Sequence, residues 1–124
     1  MDKKRFDKGL EMRKAVLGAD YVEKSMKGAN DFNREFQELV TEYAWGLCWG
    51  SEVLSKKERS ILNLGMLAAL GRMHEFELHF KGAMRNGLTA EQLKDVLTQI
   101  AVYCGIPAGV ESFRIARKVL DEQG

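Results

Sequence analysis

Between Gly71 and Gly87 the chain reads GRMHEFELHFKGAMRNG, and this stretch holds both histidines with a glycine at each end. Met73, Phe76, Phe80, Ala83 and Met84 recur at i, i+3, i+7, i+10 and i+11, which predicts a helix with one apolar arc. His74, Glu77, Lys81 and Arg85 fall on the opposite, solvated side. Arg72, Glu75 and His79 repeat the i, i+3, i+7 spacing, so a cation, a carboxylate and an imidazole line one strip beside the arc. Leu78 bounds its other flank and Gly82 lies close to it. That strip is the candidate site.

The rest of the chain is punctuated in the same way. Upstream, Ser55 and Glu58 form a capping box that opens a helix over Lys56 to about Leu70. Its Ile61, Leu62, Leu64, Met66, Leu67 and Leu70 surround nearly the whole circumference, so it is to be buried on nearly every side, by subunit association as well as by an internal core. Gly71 ends it after almost no loop, which makes it and the Gly71–Gly87 helix a tight antiparallel hairpin closed by Asn86-Gly87. Thr89 with Gln92 is another capping box, before a helix carrying Leu93, Val96, Leu97, Ile100, Ala101 and Cys104. Gly105 and Pro107 break that helix, and Pro107 suits the first turn of a last one with Val110, Phe113, Ala116 and Leu120.

Toward the N-terminus, a first helix is predicted from about Lys3 to Leu17, with Phe6, Leu10, Arg13 and Leu17 on one side and Gly18 as its stop. Tyr21 to Lys27 adds a short turn. Asn30 or Asp31 then caps a second helix whose Phe32, Phe36, Leu39, Val40, Tyr43 and Leu47 form a wide apolar stripe, and which ends near Trp45 to Gly50. On its less apolar side stand Arg34, Glu38, Glu42 and Trp45. Arg34 and Trp45 are assigned to a site or a subunit contact. The expected architecture is all-α, a single 124-residue domain of about six helices around the central hairpin.

Composition narrows the function. With 45% hydrophobic and 30% charged residues and a formal net charge of +1, the chain has ordinary globular composition and no basic block for nucleic acid. The apolar run around Leu62 to Leu70 is interrupted by Asn63 and Gly65 and is too short to span a bilayer. The charged start, MDKKRFDKGLEMRK, lacks an apolar leader core, so the expected location is the cytoplasm. There Cys48 and Cys104, neither in a CxxC, are expected as free thiols. No His/Cys/Asp/Glu set has metal-ligand spacing, and histidines at i, i+5 do not share a helix face, so no metal site is expected. By itself a Glu-His pair at i, i+4 is also what a salt-bridged surface shows. Arg72, just after Gly71, is equally placed to cap the preceding helix's carbonyls.

The runs FQELVTEYAWGLCWG, LSKKERSILNLGMLAALGRMHEFELHF and KGAMRNGLTAEQLKDVLTQIAVYCGIPAG resemble the gamma-carboxymuconolactone decarboxylase family over nearly the whole chain. The resemblance implies an alkylhydroperoxidase-like fold assembled into trimers or hexamers. It also implies a cofactor-free reaction, loss of carbon dioxide from 4-carboxymuconolactone to give 3-oxoadipate enol-lactone. Redox relatives in the wider superfamily use a CxxC followed by a histidine. Those positions correspond to Arg72, Glu75 and His79, so the thiols are absent while the histidine stays.

The strip suits the implied chemistry. The electron pair released by decarboxylation moves into the lactone carbonyl, and the resulting dienolate must be held and protonated at carbon. Arg72 is assigned to a carboxylate, His79 to the proton, and Glu75 to orienting or charging the imidazole. The competing readings are a relative with another substrate or redox activity, and a non-catalytic oligomeric binding protein.

Overall fold

The structure, a computed structural model, describes residues 1–123, and these divide into two compact units, residues 1–55 and 56–123. The N-terminal unit is built from α1 (Lys3–Leu17), α2 (Ala19–Lys27), α3 (Arg34–Val40) and a π-helical segment, Thr41–Cys48, that continues α3 without a break. The C-terminal unit contains α4 (Lys56–Leu70), α5 (Met73–Arg85), α6 (Ala90–Cys104) and α7 (Ile106–Gln123). The all-α expectation holds. The count of about six becomes seven α-helices among the described residues, because the turn expected at Tyr21 to Lys27 is a full helix starting at Ala19.

In the N-terminal unit α1 lies unusually close to the π-helical segment, and glycine on both sides is the reason. A Cβ on Gly9 would fall inside the van der Waals shell of the Thr41 carbonyl oxygen, and one on Gly46 inside that of the Arg5 carbonyl oxygen. The Asp2 side chain caps α1 by accepting from Arg5 N at 3.0 Å, and the Asp2 amide donates to Glu42 Oε1 at 2.8 Å. Arg13, placed on the apolar side of α1 by its spacing, is indeed buried. Its Nη1 donates to Gln37 Oε1 at 3.1 Å and to Thr41 Oγ1 at 3.2 Å. Burial pushes its guanidinium below its ordinary pKa, with Tyr21 opposing.

One expectation fails here. The stripe Phe32, Phe36, Leu39, Tyr43 and Leu47 is not the inner face of its helix, since these side chains are 50–97% exposed. The buried positions are Thr41, Trp45 and Trp49, at four-residue spacing. The helix widens at Thr41, whose hydroxyl donates back to the Gln37 carbonyl at 2.8 Å, and farther on Trp49 N bonds Ala44 O, five residues back. A wider turn brings residues four apart into line, so the face that packs is not the one that a 3.6-residue period selects. The helix also starts later than expected, with Asn33 at the N-cap position rather than Asn30 or Asp31.

The C-terminal unit follows the local signals closely. Leu64, Ala68, Phe76, Phe80, Ala83, Leu93, Leu97, Ile100, Ile115 and Val119 form its core, with Met73 and Met84 packed against it. The rings of Phe76 and Phe80 lie 6.3 Å apart. Both arms of the α4–α5 hairpin end in the same way. Gly71, at φ +72°, turns the chain so that its amide reaches Ala68 O at 3.2 Å and the Arg72 amide reaches Leu67 O at 2.9 Å. At the other end Gly87 N bonds Met84 O at 3.0 Å and Leu88 N bonds Ala83 O at 3.1 Å. Asn86 ties the arms together by donating to Ser60 Oγ at 2.9 Å. Thr89 and Gln92 make the expected reciprocal capping box at the start of α6.

Candidate active site

The strip lies on the first two turns of α5 and the residue before them. Arg72 is not inside the helix but is its N-cap residue, and it is the Arg72 backbone amide, not its guanidinium, that satisfies the α4 carbonyl of Leu67. The exposed guanidinium makes no hydrogen bond or ion pair among the described residues, so it remains available to an anion. Glu75 sits in the first turn of α5, where the helix dipole favours a carboxylate. Its side chain likewise makes no hydrogen bond or ion pair among the described residues.

His79 is half-buried, one turn further into the helix. Burial holds its pKa below the ordinary 6.5, and the charge of Glu75 pulls in the opposite direction with less effect. The imidazole is therefore neutral at neutral pH. Asn63 Nδ2 of α4 lies 3.5 Å from His79 Nδ1. This contact is at the outer edge of hydrogen-bond distance, and which group donates in it is set by the imidazole tautomer. Asn63 is a neighbour of His79 that sequence reasoning missed. Its signal was visible as the one amide side chain interrupting the apolar run of α4.

The other polar side chains of α5 are accounted for differently. Glu77 is engaged by Lys118 Nζ at 3.1 Å and Lys81 Nζ at 3.6 Å, and chiefly the Lys118 hydrogen bond holds its carboxyl below the ordinary range. This contrast separates the two glutamates, one committed to a cross-helix ion pair and the other uncommitted beside the histidine. His74 is exposed, as its charged neighbours suggest.

Arg34 and Trp45 belong to the N-terminal unit. Arg34 is exposed and pairs with Asp31 at 2.8 Å. Trp45 is buried and stacks on Trp49 with ring centroids 5.0 Å apart. Cys48 and Cys104 are exposed, and neither is in a disulfide. No group of three or more His, Cys, Asp or Glu side chains among the described residues is arranged to hold a metal ion, and no described helix is long and apolar enough to cross a membrane.

On the C-terminal unit an open groove of about 620 Å³ runs between α6 and α7, with Phe80, Leu97 and Phe113 in its walls and Lys94 and Arg117 among its charged residues. It carries none of Arg72, Glu75 and His79. Chemically, the strip offers an uncommitted cation, an uncommitted carboxylate and a neutral imidazole along one helix edge. That set can bind a carboxylate and pass one proton.

Comparison with known proteins bears on that chemistry. The profile of the carboxymuconolactone decarboxylase family matches residues 34–118, which include all of the strip. A nitrosuccinic acid decarboxylase of Metarhizium robertsii is 38% identical over 122 residues, covering 98% of this chain and 85% of that protein. A 4-carboxymuconolactone decarboxylase of Acinetobacter baylyi is 35% identical over 123 residues, 99% of this chain and 92% of that protein. A 4-carboxymuconolactone decarboxylase of Pseudomonas putida is 47% identical over 45 residues, 36% of this chain and 94% of that sequence.

Proposed function

Since this chain belongs to the carboxymuconolactone decarboxylase family, we propose that it is a carboxy-lyase that needs no cofactor and acts on 4-carboxymuconolactone or a similarly carboxylated lactone. The observation that carries this reading is a half-buried histidine beside an uncommitted carboxylate and arginine, in a chain aligned almost end to end with a decarboxylase.

In such a substrate the bond from the ring carbon to the departing carboxylate breaks, carbon dioxide leaves, and the electron pair moves through the ring double bond to the lactone carbonyl oxygen. The substrate is its own electron sink. The dienolate then takes one proton on the carbon next to the carbonyl and becomes the enol-lactone. Arg72 is assigned to a substrate carboxylate, which it suits by its planar fork of donors. His79 is assigned to the proton. Burial favours its neutral form, and an anionic substrate placed beside it adds to the pull of Glu75 and raises its pKa, so the proton enters with the substrate. Glu75 supports that charged state, and Asn63 holds the ring in one orientation. Arg34 and Trp45 are assigned to substrate binding.

A second reading comes from the fungal relative, whose name specifies nitrosuccinic acid. Loss of a carboxylate next to a nitro group leaves a nitronate, another oxyanion that asks for the same cation and the same proton.

The family match runs across both compact units, which supports one functional domain. We read the protein as a cytoplasmic homo-oligomer, a trimer or hexamer. The exposed cysteines, neither in a disulfide, suit a reducing compartment, and the large apolar side chains left exposed on α4 suit a subunit contact.

The direct experiment follows enol-lactone formation from 4-carboxymuconolactone, with nitrosuccinic acid assayed in parallel. Turnover of the lactone is expected in wild type, with a loss of at least about 100-fold in His79→Ala, the range of a general acid. No turnover of either acid at high enzyme concentration refutes decarboxylation. Near wild-type turnover in His79→Ala removes His79 from the chemistry.

A further inference from the structure

Asn63 is half-buried between Leu62 and Leu64 in the interior of α4, where asparagine is a poorer helix former than leucine. What offsets that choice is polar. Among the described residues its side chain makes one contact of hydrogen-bond range, Nδ2 to His79 Nδ1 at 3.5 Å. The hairpin holds the two residues opposite each other. The Gly71 turn joins α4 to α5 at one end, and Asn86 donates to Ser60 Oγ at 2.9 Å at the other, so Asn63 lies between two fixed points. Contacts of this kind are often long until substrate tightens them.

Protonation of the ring changes what Asn63 must offer. Neutral His79 keeps one bare nitrogen, and when that is Nδ1 the Asn63 NH2 group donates to it. The charged ring carries a proton on both nitrogens, so Nδ1 becomes a donor facing a donor. A half-turn about the Cβ–Cγ bond of Asn63 exchanges Nδ2 for Oδ1, which has no hydrogen bond among the described residues to hold it back. No other group around the ring is shown in this role. Arg59 stands one turn further toward the Asn86 end of α4, and Lys118 of α7 is committed to Glu77. Glu75 draws positive charge to the ring from an exposed position, whereas Asn63 supplies the acceptor that a half-buried Nδ1–H needs.

We propose that Asn63 is a positioning residue whose amide turns over as His79 gains its proton, so that Oδ1 holds Nδ1–H of the charged ring and Nε2 delivers the proton to substrate. Delivery breaks the Nε2–H bond and forms the C–H bond on the dienolate carbon next to the carbonyl. The ring is left neutral, with its remaining proton on Nδ1 and still accepted by Oδ1. The proposal rests on the decarboxylase reading for its substrate, but its first readout needs no turnover.

That readout is the nitrogen-15 NMR titration of His79 in wild type, Asn63→Ala and Asn63→Asp. Alanine opens space beside the ring, so a merely structural role for Asn63 raises the His79 midpoint by relieving burial, whereas loss of the acceptor lowers it. A lowered midpoint is expected in Asn63→Ala. Aspartate has the same shape and only accepts, so Asn63→Asp is expected to raise the midpoint and to keep Nδ1 protonated in the neutral ring. In the lactone assay Asn63→Ala is expected to lose at least about tenfold in kcat with KM within about twofold, the pattern of an interaction made in the transition state. An unchanged or raised midpoint in Asn63→Ala overturns the proposal, as does a neutral ring in Asn63→Asp with its proton on Nε2. Should Asn63→Ala lose helical signal in circular dichroism, Asn63→Asp carries the test alone. A wild type without turnover refutes the decarboxylase reading and leaves the titration to decide the Asn63 contact.

Discussion

Replacing Gly9 with alanine tests the close crossing of α1 and the π-helical segment. The new Cβ would stand 2.7 Å from the Gly46 amide nitrogen and closer still to the Thr41 carbonyl oxygen, against the 3.4 Å at which ordinary contact begins. Both neighbours are backbone, so no side chain can rotate away and the two helices must separate. Overpacking of this kind costs about 1–3 kcal/mol. Separation also stretches the hydrogen bonds that Arg13, one turn along α1, makes to Gln37 at 3.1 Å and Thr41 at 3.2 Å. Each hydrogen bond from a charged donor is worth about 1.5–3 kcal/mol, and alanine's better helix propensity returns only about 0.5–1 kcal/mol. With the equivalent of one of the two bonds lost, the expected net loss is about 1.5–5.5 kcal/mol, a large part of the stability of a domain this size. Urea unfolding followed by tryptophan fluorescence suits the measurement, because Trp45 and Trp49 are the only tryptophans and both lie in the affected unit. Ala15→Gly, on the exposed side of α1, calibrates the propensity contribution in the same helix. A Gly9→Ala protein within about 1 kcal/mol of wild type would refute the steric argument, since propensity alone accounts for a change that small.

Two other outcomes follow from the C-terminal unit. Because burial lowers the His79 pKa, the unfolded chain takes up that proton first as pH falls below 6.5. The His79 contribution is therefore fully present above 6.5 and is lost as pH falls toward the lowered folded value. Histidine NMR titration should show a depressed His79 midpoint that drops further in Glu75→Gln, and a rise in that variant would contradict the assigned sign. Thr89→Ala removes the side-chain cap of α6 and should cost about 1 kcal/mol in thermal unfolding, and an unchanged midpoint would show that the capping box contributes nothing to stability.

How much of this was legible beforehand depends on the range of the interaction concerned. The ends of α1 and α4, the Gly71 turn and the Thr89 capping box are set by residues within four or five positions of one another, and their composition announces them. The apolar arc of α5 was likewise readable, because 3.6-residue periodicity survives wherever a helix stays regular. It misled in α3, where the Thr41 hydroxyl and Arg13 act on the helix from outside its own repeat and turn the apolar stripe away from the packed face. Asn63 escaped notice for a related reason. Its partner is 16 residues away, and the sequence does not say which side of α4 meets α5.

By itself, then, the sequence determined an all-helical chain, its family, and a strip of arginine, glutamate and histidine on one helix edge, all of which follow from local spacing and composition. Only the tertiary structure decided that Arg13 is a buried hydrogen-bonding hub, that Asn63 reaches His79, and that the imidazole is neutral. Burial and the approach of distant side chains fix protonation and partnership, and neither exists until the helices have packed.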